Sequence, residues 1–131
     1  MAFIDWNEKM SVGVAALDND HQKIIGAINS LHEAVFKTQS TEAIRTVFDD
    51  LDNYVGYHFE CEERLMRLAR FPEYTKHCEL HRDLVKRLKD IRAKYDKGGE
   101  IGSSFFDFLS DWLMRHILNE DAKYKDYLVR K

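Results

Sequence analysis

Five of the six histidines in this chain stand at spacings that could hold metal. His77 and His81, in HCELH, are four residues apart, so on a helix their imidazoles project from one face. His58 and Glu62, in HFECE, repeat that spacing with a carboxylate in the second position. His21 stands alone upstream, and His116 is followed five residues later by Asp121 in HILNED. Imidazole and carboxylate are the ligand types of transition-metal sites, and the question is whether the fold can gather them.

HCELH is a poor match to the H-E-x-x-H zinc-protease signature. There the general-base glutamate follows the first histidine directly, within reach of the zinc-bound water. Here Cys78 fills that place, and Glu79 is turned about 200° from His77 on a helix, away from the face shared with His81. The histidine pair therefore reads as half of another metal site, and Glu79 as a surface residue.

The elements that must position these residues follow from composition. The 131 residues are 44% hydrophobic and 33% charged, with a net charge of −3. That describes one soluble domain spanning 1–131, with a core large enough to need no disulfide. Neither sign of charge is gathered into a stripe for nucleic acid or a polybasic membrane anchor. MAFIDWNEKM lacks the basic and then apolar run of a signal peptide, and no apolar run approaches ~18 residues. The expectations are a cytoplasmic protein, no membrane insertion, no nucleic-acid partner, and Cys61 and Cys78 as thiols and not a disulfide.

Six glycines and one proline point to long helices. Pro72, the pair Gly98-Gly99 with Gly102, and QSTEA at 39–43 divide the chain into helices over roughly 18–38, 41–70, 74–97 and 103–119. Ser40 or Thr41 would cap the second helix and Ser103 or Ser104 the fourth. Residues 1–17 form an arm, with Trp6 as a plug over the loops, and 121–131 a short helical tail. The fold class is all-α: an up-down-up-down antiparallel four-helix bundle with an N-terminal arm and a C-terminal helical tail.

Each helix carries an apolar seam of threes and fours. The seams read His21, Ile24, Ile28, Leu31, Val35; then Ile44, Phe48, Leu51, Val55, His58, Glu62, Leu65; then Tyr74, His77, His81, Leu84, Leu88, Ile91, Tyr95; then Phe105, Leu109, Trp112, His116. A carboxylate buried in such a seam costs several kcal/mol unless it is paired or metal-bound. His21 and the His77–His81 pair lie near the starts of odd helices, and His58, Glu62 and His116 near the ends of even ones. Alternating helices bring these six side chains into one layer.

Asp121 lies about 140° around an ideal helix from His116, so it joins the layer only if the backbone widens to a π-turn or ends near 117–121. With it, five imidazoles, two bridging carboxylates and a single-atom oxygen bridge fill all but one position of two octahedral metals. Such ligands suit iron among the redox metals and also accommodate manganese or zinc. One vacancy in an apolar bundle suits a small diatomic ligand.

The order H…HxxxE…HxxxH…HxxxxD, here His21, His58, Glu62, His77, His81, His116 and Asp121, resembles the hemerythrin family in its single-domain bacteriohemerythrin form. The resemblance covers nearly the whole chain, including DWNEKMSVGVAALD. It implies two iron ions per chain with an oxo or hydroxo bridge. His77, His81 and His116 would hold the six-coordinate iron, His21 and His58 the five-coordinate one, and Glu62 and Asp121 would bridge. It further implies reversible dioxygen binding for carriage, storage or delivery, the oxygen sitting as hydroperoxide at the five-coordinate iron, with no catalytic residue and no enzyme activity. Phe59, Trp112 and Leu118 would line the oxygen pocket. An oxygen-consuming protein is compatible with this role as acceptor, and the sequence does not identify one.

Sensing or scavenging of oxygen, nitric oxide or peroxide by the same site is the alternative. A di-iron oxidase is disfavoured because E-x-x-H pairs are absent. Three further residues carry simpler expectations. His32 is three turns from His21, about 16 Å along the helix, and reads as a core or surface histidine. Asp20 stands where many relatives are expected to have glutamine; it could accept a hydrogen bond from behind a ligand, but reads first as a solvated helix-start acid. The charges of HRDLVKRLKDIRAKYDK read as the solvated face of the third helix.

Overall fold

The computed structural model describes residues 3–129. Its helices are α1 (Ala15–Glu33), α2 (Thr41–Leu68), α3 (Tyr74–Asp96), α4 (Ser103–Arg115) and α5 (Ala122–Val129), with no strand among the described residues. Two π-helical stretches, Ala34–Thr38 and His116–Asp121, extend α1 and α4, and Glu8–Met10 forms a 3-10 turn in the arm.

The helix ends follow local chemistry. Ser40 caps α2, its hydroxyl accepting from the Ala43 N–H at 3.2 Å. The 28-residue helix then runs to Leu68, and Arg70 at φ 57° turns the chain left-handed before Pro72. At the end of α1 the last turn widens, and the Gln39 N–H donates to the Ala34 carbonyl from a left-handed φ of 56°. The expected serine cap of α4 does not form. Gly102 occupies that position with no side-chain cap, and Ser103 is already helical.

The seams are the buried faces. Ile24, Ile28 and Leu31 of α1, Phe48, Leu51 and Val55 of α2, Leu84 and Leu88 of α3, and Phe105 and Leu109 of α4 belong to one core. Each large aliphatic or aromatic side chain so buried contributes about 1.5–3 kcal/mol relative to exposure. A second, smaller cluster of Val12, Leu17, Met66, Phe71 and Tyr124 closes the other end of the bundle. Between the two clusters lies the polar layer.

The arm lies along α1. Asn29 receives the Ile4 N–H and returns its own Nδ2–H to the Ile4 carbonyl, both at 2.8 Å. Asp18 accepts from the Ser11 hydroxyl at 2.6 Å and from the Val12 N–H at 2.8 Å. Trp6, expected over the loops, is half-buried against the main core. His32 stacks on Phe3 at 4.4 Å and meets the edge of Phe106 at 5.0 Å, well away from the polar layer. No helix among the described residues is long and apolar enough to cross a membrane.

Two substitutions separate cap from core. Ser40→Ala should cost about 1 kcal/mol of unfolding free energy, whereas Phe48→Ala, at a fully buried position, should cost about 3–5 kcal/mol. Denaturant titration of the two variants checks the order, and an equal loss in both contradicts this assignment of the core.

Candidate metal centre

His21, His58, Glu62, His77, His81, His116 and Asp121 are each no more than 4% exposed and meet in one layer. They come from four directions. His21 is in the second turn of α1, His58 and Glu62 lie in the last third of α2, His77 and His81 begin α3, and His116 follows the end of α4. That these ends meet requires the helices to alternate in direction, as the seam pattern anticipated.

Asp121 enters by the predicted route. The backbone from His116 to Asp121 is π-helical, so five residues make about one turn and both side chains face inward. A regular α-helix would have carried the carboxylate off this face.

The contacts divide the layer in two. Glu62 Oε1 lies 2.9 Å from His77 Nε2, 2.9 Å from His81 Nε2 and 3.9 Å from His116 Nε2. Its other oxygen, Oε2, lies 3.0 Å from His58 Nε2 and 3.7 Å from His21 Nε2. Asp121 repeats the division, with Oδ1 at 2.9 Å from His77 and 3.0 Å from His116, and Oδ2 at 3.1 Å from His21. Two groups of donor atoms result, the atoms of each lying within 4.8 Å of one another: Glu62, His77, His81, His116 and Asp121, and His21, His58, Glu62 and Asp121. Each carboxylate offers one oxygen to each group.

Several of these approaches are close without being hydrogen bonds. His58 Nε2 and both oxygens of Asp121 are buried with no hydrogen-bond partner among the described residues. Buried lone pairs left unsatisfied cost free energy comparable to a lost hydrogen bond, and a cation held between them would remove that cost. The donor set fits two hard-to-borderline metal ions, three imidazoles beside one and two beside the other.

Two neighbours of the layer, Tyr124 and Glu63, were not anticipated as its partners, and a third, Asp20, was so only as the lesser of two readings. The Tyr124 hydroxyl of α5, itself fully buried, donates to Glu62 Oε2 at 2.7 Å. Tyr124 lies three residues after Asp121, a spacing that would have flagged it once α5 was placed on the same face. Glu63 Oε2 lies 2.8 Å from His81 Nδ1. Asp20 is not the solvated acid expected: only 14% exposed, its Oδ2 lies 3.2 Å from His58 Nδ1. The crossing of α1 and α2 brings the two together, which no local reading of the helix start reveals.

The aromatic walls stand mainly beside the three-histidine group. Phe59 stacks on His81 at 3.7 Å and 3°, and lies 6.1 Å from His58. Trp112 stacks on His116 at 4.4 Å and 11°. Leu118, expected in the same wall, is 43% exposed. Two residues beyond His116, it sits on the opposite side of the turn whose inner side carries the histidine. Cys61 and Cys78 are free thiols, and burial pushes the Cys78 thiol up.

In the metal-free chain, protons supply the missing positive charge. Burial disfavours the His21 imidazolium, but the close carboxylates of Asp121 and Glu62 outweigh it and hold its pKa up at about 9. His116 is opposed by burial and raised to about 10, chiefly by the Asp121 charge. Burial raises Glu62, yet four histidines pull it well below the carboxylate range. Burial and the Glu62 charge likewise raise Asp121, and His116 and His21 bring it below that range.

Stability of the metal-free chain should follow these directions. The His21 and His116 contributions are complete below their ordinary pKa of 6.5 and are lost as pH rises through about 9 to 10. The Glu62 and Asp121 contributions are present above the ordinary carboxylate range and are lost on acidification. Denaturant midpoints should therefore peak at roughly pH 5 to 6.5 and fall on either side. A midpoint that climbs between about pH 7 and pH 10 contradicts the assignment. Loading divalent metal near neutral pH should release the His21 and His116 protons, measurable by calorimetry in buffers of different ionisation enthalpy. Tyr124→Phe should cost the metal-free chain about 1.5–3 kcal/mol, the worth of a hydrogen bond to a charged group.

The family model for the hemerythrin HHE cation binding domain matches residues 12–128. Bacteriohemerythrin of Pseudomonas aeruginosa (strain LESB58) is 33% identical over 126 residues, covering 96% of this chain and 82% of the relative. Myohemerythrin of Sipunculus nudus is 28% identical over 123 residues, covering 94% and 92%. A crystal structure of wild-type hemerythrin superposes with a TM-score of 0.89 at 27% identity, covering 98% of this chain and 99% of the other. On the family match and the relative at 33% identity, the chain belongs to the hemerythrin family.

Proposed function

We propose that the chain binds dioxygen reversibly at two iron ions, as a carrier or store and not as an enzyme. The observation that carries this reading is the division of Glu62 and Asp121. Each carboxylate directs one oxygen toward a three-histidine group and the other toward a two-histidine group. His77, His81 and His116 would hold one iron, His21 and His58 the other, and the two carboxylates would bridge. The half with fewer histidines is the half with room for a further ligand.

Held by these residues, a pair of ferrous ions would supply reversible two-electron chemistry toward dioxygen. The protein's part is to hold those ions and exclude water. All seven ligand side chains are nearly inaccessible. Phe59 and Trp112 cover two of the imidazoles with aromatic faces, and Met10 and Ile117 fill the core nearby, each 1% exposed. A dry surround keeps charged oxygen species from leaving. Both carboxylates of the layer face imidazoles, and the Tyr124 phenol donates to Glu62, so these groups are engaged with one another and not with a substrate. The Tyr124 phenol is held well above its ordinary pKa, first by burial and then by the Asp121 and Glu62 charges, and stays protonated.

Metal analysis and gas cycling test the reading. The chain reconstituted with ferrous iron should contain two irons, take on colour in oxygen and lose it under vacuum through repeated cycles. One iron per chain, or irreversible bleaching with release or consumption of peroxide, contradicts it. The second outcome would instead favour scavenging or sensing by the same residues.

A further inference from the structure

Asp20 and Glu63 stand outside both candidate ligand groups, yet each closes on the back of a ligand ring. His58 presents Nε2 to Glu62 at 3.0 Å and Nδ1 to Asp20 at 3.2 Å. His81 presents Nε2 to Glu62 at 2.9 Å and Nδ1 to Glu63 at 2.8 Å. A carboxylate accepts and cannot donate, so in each ring Nδ1 carries a proton, and Nε2 is the nitrogen left to offer a lone pair to a metal held in the layer. One such pair belongs to each half of the centre. The arrangement is selective, because His21 Nδ1 is buried without any partner among the described residues.

Charge gives the arrangement a second consequence. Glu62 and Asp121 are the only carboxylates among the two groups of donor atoms. Asp20 and Glu63, whose side chains are 14% and 29% exposed, add two negative charges directly behind the ligand rings. Each added electron on the metal pair then works against a fixed negative charge behind a ligand.

We propose that Asp20 and Glu63 are paired positioning residues, one for each half of the centre. They fix the tautomers of His58 and His81 and add two negative charges beside the pair of divalent metals. The consequence is tighter metal binding and a lower reduction potential than a neutral partner would allow. This rests on the two-metal reading above.

The test uses the full chain with Asp20→Asn and Glu63→Gln, singly and together, since an amide oxygen can still accept from Nδ1–H but carries no charge. Asp20→Glu is the charge-preserving control and Glu79→Gln the exposed-carboxylate control. Two readouts apply. The metal-free chains are titrated with Co(II), and each amide variant should bind 10- to 100-fold more weakly. In the iron-loaded chains, each amide should raise the reduced-to-oxidised ratio about tenfold at fixed potential, which is 59 mV for one electron. Asp20→Glu should recover most of both effects, and Glu79→Gln should change neither. Amide variants that bind Co(II) within twofold of the parent at an unchanged midpoint overturn the inference. A parent chain that does not take up two metals overturns the two-metal reading itself, which separates the failures. Far-ultraviolet circular dichroism of the metal-free variants confirms that each remains folded before either value is compared.

Discussion

Two carboxylates that no water reaches organise this protein. Glu62 and Asp121 are fully buried within 3.9 Å of all five histidines between them. Isolated, either would be too costly to keep charged in a helical core. Together with the imidazoles they form a layer that accepts positive charge from protons or from metal. The bundle around it can be read as the means of supplying that layer from four helices at once.

The polar layer divides the core, and the two parts contribute differently. The larger cluster, from Ile24 and Phe48 to Leu109, supplies most of the apolar burial and fixes the register of α1 to α4. The smaller one, around Val12, Met66, Phe71 and Tyr124, seals the layer at the other end. Tyr124 belongs to both descriptions: its ring packs in the small cluster while its hydroxyl holds Glu62 Oε2. Because α5 begins directly after the π-helical stretch, the same local distortion delivers Asp121 and then Tyr124. Loss of the π-turn would therefore remove a carboxylate and its neighbouring donor in one step.

Much of this was legible in the sequence, for identifiable reasons. Histidines at seam positions, near the starts of odd and the ends of even helices, require a common layer on their spacing alone. The awkward spacing of His116 and Asp121 demanded a π-turn, and His116–Asp121 is one. What escaped was contact across helices. Asp20 looks like an ordinary acid at a helix start, and Glu63 like one more charge beside Glu62. Their closure on His58 and His81 depends on how α1 and α3 sit against α2. Leu118 failed for the converse reason: sequence proximity to His116 carried it toward the centre, whereas the turn directs it outward at 43% exposure. The serine cap of α4 was misplaced by one residue because Gly102 can start the helix without a side chain.

The central claim is that Glu62 and Asp121 together span two metal ions with unequal histidine shares. Anomalous diffraction at the iron absorption edge, from crystals of the iron-loaded chain, tests it most directly. The account predicts two peaks, one against His77, His81 and His116 and one against His21 and His58, with an oxygen of each carboxylate on both. A single peak, or two peaks with Asp121 turned away from either, would contradict it.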